Sequence, residues 1–223
     1  MIKGKYFLIL AALVSILLTA GSCRELSAQE YNTRGLALLE KQKYASAITE
    51  FTQAINKEPS PSAYNNRGLA YQGTQEYNKA ISDLNMAIKL DPRYGEAYFN
   101  RGNIYSKTSK YSEAIADYST AIQILGNAKP MAYHNRGLAY AYDGDDVKAI
   151  QDFTVAIGLD PSNLDSYYNR GVAYTNLHEY EKAIDDLTKV VQSSKDPLMV
   201  KYSKDTIAGI QNRMAPYENN TTY

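Results

Sequence analysis

Along most of the chain the apolar positions recur with a helical spacing, and they recur in blocks. Five segments share one pattern: Tyr31-Asn-Thr-Arg-Gly35, Tyr64-Asn-Asn-Arg-Gly68, Tyr98-Phe-Asn-Arg-Gly102, Tyr133-His-Asn-Arg-Gly137 and Tyr167-Tyr-Asn-Arg-Gly171. Their glycines lie 33, 34, 35 and 34 residues apart. Twelve residues after each glycine stands Ala47, Ala80, Ala114, Ala149 or Ala183, and sixteen after it a large apolar residue, Phe51, Leu84, Tyr118, Phe153 or Leu187. A period in the thirties marks an array of small supersecondary units. With the glycine numbered position 8, positions 4, 7, 8 and 11 share one face of a first helix, A. The small residues at positions 8 and 20 let a second helix, B, approach A closely. One such pair cannot bury both its faces, so neighbours must stack. The pattern therefore predicts an all-α array of five helix pairs.

Proline punctuates the array. Pro59, Pro92 and Pro161 follow three of the B helices, while Pro130 and Pro197 arrive later in the third and fifth blocks. A stack also needs a lid with a polar back. In 198–216, Val200, Ile207, Ile210 and Met214 can form one stripe, with Lys201, Lys204, Asp205 and Arg213 left for solvent. Pro216 is expected to end this capping helix, leaving 217–223 as a polar tail without fixed structure.

These residues and spacings resemble the tetratricopeptide repeat, with Tyr where that family often has Trp. The resemblance covers 30–197, in blocks of about 28–60, 61–94, 95–129, 130–163 and 164–197. It implies a right-handed superhelical solenoid whose A helices line a concave groove that binds protein or peptide partners.

The N-terminus carries a different signal. Lys3 and Lys5 precede an uncharged run from Tyr6 to Cys23, with a continuously apolar middle from Phe7 to Leu18 and small residues Ala20-Gly21-Ser22 before the cysteine. That order reads as an export segment over 1–22. It resembles a bacterial lipoprotein signal, which implies a lipid on Cys23 and cleavage before it, although Ala20 stands where that family prefers leucine. The resemblance also implies the outer membrane, because Arg24 is not the aspartate that holds lipoproteins in the inner one. Cleavage after Ala28, giving a soluble exported protein, and an uncleaved anchor both stay open; an uncharged run of about 18 is the shortest that spans a bilayer. In every case the basic flank stays inside and the repeats leave the cytoplasm. A tether over 23–29 would reach at most about 20 Å beyond the lipid.

Charge enters the packed face itself. Position 7 is Arg34, Arg67, Arg101, Arg136 and Arg170, and position 23 is Glu50, Asp83, Asp117, Asp152 and Asp186. Both lie on or beside apolar stripes, where an unpaired charge is strongly disfavoured. Ion pairs between helices A and B are expected, within or between repeats; the competing reading gives these arginines to ligand carboxylates.

Positions 2, 5, 9, 12 and 13 lie opposite the packed face. In peptide-binding members of the family an asparagine at position 6 holds the peptide backbone, and here that position is Thr33, Asn66, Asn100, Asn135 and Asn169. An amide offers donors and an acceptor to any peptide unit; alternatively these side chains only bond neighbouring helices. Phe99, Asn103, His134, Tyr142 and Tyr168 complete the expected groove and make its middle and C-terminal part the more aromatic. Position 2 reads Gln29, Ser62, Glu96, Met131 and Asp165, which lacks the basic residues of the family's carboxylate clamp.

Composition narrows the function. The chain has 24 basic and 24 acidic residues, too balanced for the basic stripe that nucleic acid requires. One cysteine permits no intrachain disulfide, and with two histidines it cannot assemble a four-ligand zinc site. No phosphate loop or nucleophile–base pair is present, and His134 between Glu96 and Asp165 is the best constellation available. No cofactor or catalytic role is expected. The sequence reads as a protein-binding scaffold of the cell envelope, resembling the lipoproteins that pilot pilus secretins or dock cell-wall hydrolases. A self-associating structural adaptor is the alternative.

Overall fold

A computed structural model describes residues 25–126 and 129–218. The whole export segment, Cys23 and the residues from Asn219 onward lie outside the described residues.

Every regular element among them is a helix. The order is α1 (Ala28–Glu40), α2 (Tyr44–Lys57), α3 (Pro61–Gly73), α4 (Tyr77–Leu90), α5 (Gly95–Lys107), α6 (Tyr111–Leu125), α7 (Pro130–Asp143), α8 (Asp146–Leu159), α9 (Leu164–Asn176), α10 (Tyr180–Ser193) and α11 (Pro197–Glu218). Odd-numbered α1–α9 are the A helices and even-numbered α2–α10 the B helices; α11 closes the stack. The prolines divide into two roles. Pro59, Pro92 and Pro161 follow finished B helices, whereas Pro61, Pro130 and Pro197 open A helices or the cap. At a first helical position proline forfeits no hydrogen bond and its fixed φ suits the helix.

Each A helix packs against its B helix through the predicted small-to-large contact. A Cβ added at Gly35 would lie 2.4 Å from the Phe51 ring, at Gly102 2.8 Å from Tyr118 and at Gly137 2.9 Å from Phe153. The large partners Phe51, Leu84, Tyr118, Phe153 and Leu187 are all fully buried, as are the alanines at position 20. The turn from A to B is tight in every pair. Its position 15 is left-handed: Gln42, Gln75, Ser109 and His178 have φ of 55–62°, and Gly144 has 89°.

The cap differs from expectation at both ends. It starts at Pro197 and continues past Pro216 to Glu218. A proline this close to a C-terminus removes one donor from the last turns without breaking the rest. Ile210 is buried on the last pair, joined by Ile207 and Met214. Ser203 is also fully buried, and its hydroxyl donates to the Met199 carbonyl at 2.9 Å, which satisfies it away from water.

Candidate protein-binding surface

Successive A helices contact one another directly, whereas successive B helices do not to that extent. A stack that is tighter on one side must curve toward that side, so the A helices form its inner wall.

The position-6 asparagines do not stand free on this wall. Asn66 Nδ2 donates to Asn32 Oδ1 at 3.1 Å, Asn100 Nδ2 to Asn65 Oδ1 at 2.8 Å and Asn135 Nδ2 to Asn103 Oδ1 at 2.9 Å. Each bond crosses from one A helix to the previous one, and Asn66 and Asn100 are buried. Asn103 replaces a position-5 acceptor because Phe99 occupies that place, and it also accepts from the Tyr118 hydroxyl at 2.9 Å. Burial pushes the Tyr118 phenol well above its ordinary range, so it stays a donor. Asn169 alone makes no such bridge: its Nδ2 donates to the Asp165 carbonyl of its own helix at 2.8 Å. The bridging asparagines were expected to face a ligand or to bond neighbouring helices, and the observed geometry is the second arrangement.

Two expected groove residues are covered. Phe99 is 8% exposed, with the Lys129 ammonium 4.0 Å above its ring centroid and that lysine ion-paired to Glu96. His134 is 6% exposed and lies between repeats, its Nδ1 2.8 Å from Ser166 Oγ and its ring against Phe153. Burial depresses its pKa, with Asp165 acting weakly in the opposite sense. The Lys129 side chain had no sequence signal, since it belongs to the longer linker before α7.

The accessible part of the wall lies further along. Tyr142 is 66% exposed and stacks on Tyr111 of the previous pair, centroids 5.3 Å apart and planes 19° from parallel. The same contact between position 13 and the preceding position 17 recurs as Lys107 over Tyr77 at 5.7 Å and as Asn176 Nδ2 donating to the Asp146 carboxylate at 3.1 Å. Between α9 and the cap a cavity of about 370 Å³ is lined by Tyr168, Thr175, Tyr202, Asp205, Gly209 and Arg213, among others. The repeat pattern does not reach Tyr202, and the stripe along the cap leaves Asp205 and Arg213 to solvent.

The arginines of positions 7 are held differently. Arg67, Arg101, Arg136 and Arg170 each make two hydrogen bonds of 2.7–2.8 Å to Asp83, Asp117, Asp152 and Asp186 of the same pair. The third guanidinium nitrogen reaches back to the preceding B helix, at Thr52, Asn85, Ser119 or Thr154. Tyrosines at positions 4 and 11 flank each cation at 5.5–5.9 Å. With these donors engaged, the four arginines are structural in this arrangement.

Comparison with known proteins agrees with the fold. A family profile described as the ETO1 C-terminal domain matches residues 15–201. No curated protein matches the chain. Among solved structures it is similar to PilF of Pseudomonas aeruginosa, at 18% identity and TM-score 0.71, covering 87% of this chain and 93% of that one. It is also similar to MamA of Desulfovibrio magneticus RS-1, at 21% identity and TM-score 0.68, covering 80% and 97%. A third is YrrB, a tetratricopeptide-repeat protein described as having an unusual peptide-binding site, at 22% identity and TM-score 0.67, covering 78% and 90%. The fold is that of the tetratricopeptide-type solenoids.

Proposed function

The chain belongs to the family of the ETO1 C-terminal domain, and from that premise we propose that it is a non-catalytic scaffold of the bacterial cell envelope whose A-helix wall holds an extended segment of a partner protein. The observation that carries this reading is the exposed aromatic and polar surface on the later A helices. Tyr142 stands two-thirds exposed on the face of Tyr111, and the Tyr168–Arg213 cavity opens beyond it. A rigid ring already stacked beneath loses little freedom on binding, which favours it as an anchor. The bridging asparagines give the wall rigidity rather than grip.

The envelope assignment rests on the basic, then apolar, then small-residue order ending at Cys23. Lipid at that cysteine would tether the stack to a membrane; no helix among the described residues is long and apolar enough to cross one.

The test places a photo-crosslinking residue at Tyr142, on the inner wall, or at Lys189, exposed on α10. The reading expects a partner segment crosslinked from 142 and not from 189. Crosslinks from 189 alone would move binding to the outer surface and sink it. Metabolic labelling with an alkyne fatty acid tests the tether separately: label is expected on the wild-type chain and not on Cys23→Ala, and an unlabelled wild-type chain would remove the lipid from the reading.

Self-association is a second reading, favoured by the unfinished first pair. Arg34 is 60% exposed and 3.9 Å from Glu50, whose Oε2 is buried without a hydrogen-bond partner among the described residues. Sedimentation of the exported part would show a concentration-dependent dimer if that end seats a second copy.

A further inference from the structure

The cavity between α9 and the cap has a spacing that selects a particular kind of segment. Asp205, Gly209 and Arg213 line it from one helix, four residues apart in each step. Four residues of α-helix advance about 6 Å. Two residues of extended chain advance about 6.6 Å, and side chains two apart point to the same side. The three cap positions therefore match side chains i, i+2 and i+4 of an extended segment laid along α11.

The chemistry of the three positions differs. Asp205 and Arg213 are both exposed and have no hydrogen-bond or ion-pair partner among the described residues. Gly209 between them leaves a notch: a Cβ built there meets nothing within 4 Å. Tyr168 from α9 and Tyr202 from α11, the latter 55% exposed, line the same cavity. Each charged position lacks its opposite, and the open space at Gly209 lies between them.

We infer that this cavity is a docking subsite for an extended peptide segment of the pattern basic–x–aromatic–x–acidic, with the basic side chain at Asp205, the ring in the notch at Gly209 and the acidic side chain at Arg213. The inference rests on the reading of the A-helix wall as a protein-binding surface and specifies its C-terminal end. Charge sets the pattern and the preference among sequences, while the ring supplies most of the affinity, because exposed ion pairs contribute little and a buried ring much more. The direction of the segment is left free, since the reversed sequence laid in the opposite direction presents the same three side chains.

The full-length protein in detergent is titrated at low salt with three end-blocked fluorescent peptides: Gly-Lys-Ser-Phe-Ser-Glu-Gly, and the two versions in which both charged residues are Lys or both are Glu. The wild-type chain should prefer the mixed peptide. Gly209→Phe fills the notch and should weaken binding about tenfold or more. Asp205→Arg should turn the preference to the doubly acidic peptide, and Arg213→Asp to the doubly basic one, each by about three- to tenfold and less at high salt. These two positions are exposed, so the reversals remain informative even if Gly209→Phe disturbs the helix. Binding that ignores all three substitutions would overturn the subsite while leaving docking elsewhere on the wall intact. Equal affinity of wild type for the three peptides, or none for any, would also overturn it; the crosslinks from position 142 judge the wider reading independently.

Discussion

Arg101 and Asp117 meet through two parallel hydrogen bonds, Nε to Oδ2 and Nη2 to Oδ1, both 2.7 Å. The remaining nitrogen, Nη1, reaches Asn85 on the previous B helix at 2.5 Å, and the rings of Tyr98 and Tyr105 lie 5.5 and 5.9 Å from the guanidinium carbon. One side chain thus joins three helices, so the pairing inside a repeat also fixes its neighbour. The first repeat shows what the neighbour contributes. With no earlier B helix among the described residues to brace it, Arg34 is 60% exposed and only reaches 3.9 Å from Glu50.

Removing one partner of a buried pair strands the other, at a cost of about 3–5 kcal/mol. Arg101→Ala and Asp117→Ala should each lower stability by that order in denaturant melts. Arg101→Lys should recover only part of the loss, because an ammonium cannot reproduce the forked geometry. Arg34→Ala, at an exposed and poorly formed pair, should stay within about 0.5 kcal/mol of wild type. Equal effects at 34 and 101 would refute the bracing role of the previous helix.

Much of this is legible in the sequence. The glycine spacing, the small residues at positions 8 and 20 and the ring or leucine at position 24 fix helix pairing, because they answer a local steric demand repeated five times. The Arg–Asp pairs were legible for the same reason: an acid recurs sixteen residues after every arginine. The groove was less so. Asn66, Asn100 and Asn135 carry a side chain suited to either a peptide or a neighbouring amide, and only the separation between adjacent A helices decides which it meets. Phe99, expected in the groove, is covered for a related reason, since its cover, Lys129, comes from an irregular linker outside the repeat pattern. The cavity at Gly209 lies where the repeat has ended, so no periodicity pointed to it.

The glycines at position 8 are tested by adding one methyl group. At Gly137 a Cβ would sit 2.9 Å from Phe153 Cε1, a ring that is itself fully buried and cannot swing away. Gly137→Ala should therefore destabilise by about 1–3 kcal/mol through overpacking, despite alanine's better helix propensity. Gly209→Ala provides the contrast, since its Cβ meets nothing within 4 Å. There the propensity gain should dominate, raising stability by up to about 1 kcal/mol in thermal or denaturant melts. If both substitutions stabilise, the close approach at position 8 is not limiting.

The A-to-B turns offer an independent test of backbone strain. Gln75 has φ of 62°, where a side chain costs about 1–2 kcal/mol, while the corresponding Gly144 has 89° and bears no such cost. Gln75→Gly relieves the strain but gives the unfolded chain more freedom, so a net gain of about 0.5–1 kcal/mol is expected. Gly144→Ala should lose about 1 kcal/mol or more, read from the shift in urea midpoint.

His134 should make the joint between α7 and α9 sensitive to acid. Its ring is 6% exposed, packed on Phe153 and 2.8 Å from Ser166 Oγ, and burial lowers its pKa in the folded protein while Asp165 opposes this weakly. The unfolded chain takes up a proton as pH falls through about 6.5, at a pH where the folded histidine still resists it. The unfolded state then binds more protons, so stability contributed by the neutral ring is present above about pH 6.5 and declines below it, until the folded histidine also protonates. Unfolding of the wild-type chain at pH 7.5 and 5.5 should show this loss, and His134→Gln, which keeps polarity without titrating near neutrality, should lessen it. His178, the other histidine, lies exposed at the turn between α9 and α10, away from this joint. If His134→Gln leaves the difference between the two pH values unchanged, the buried histidine is not the acid-sensitive group.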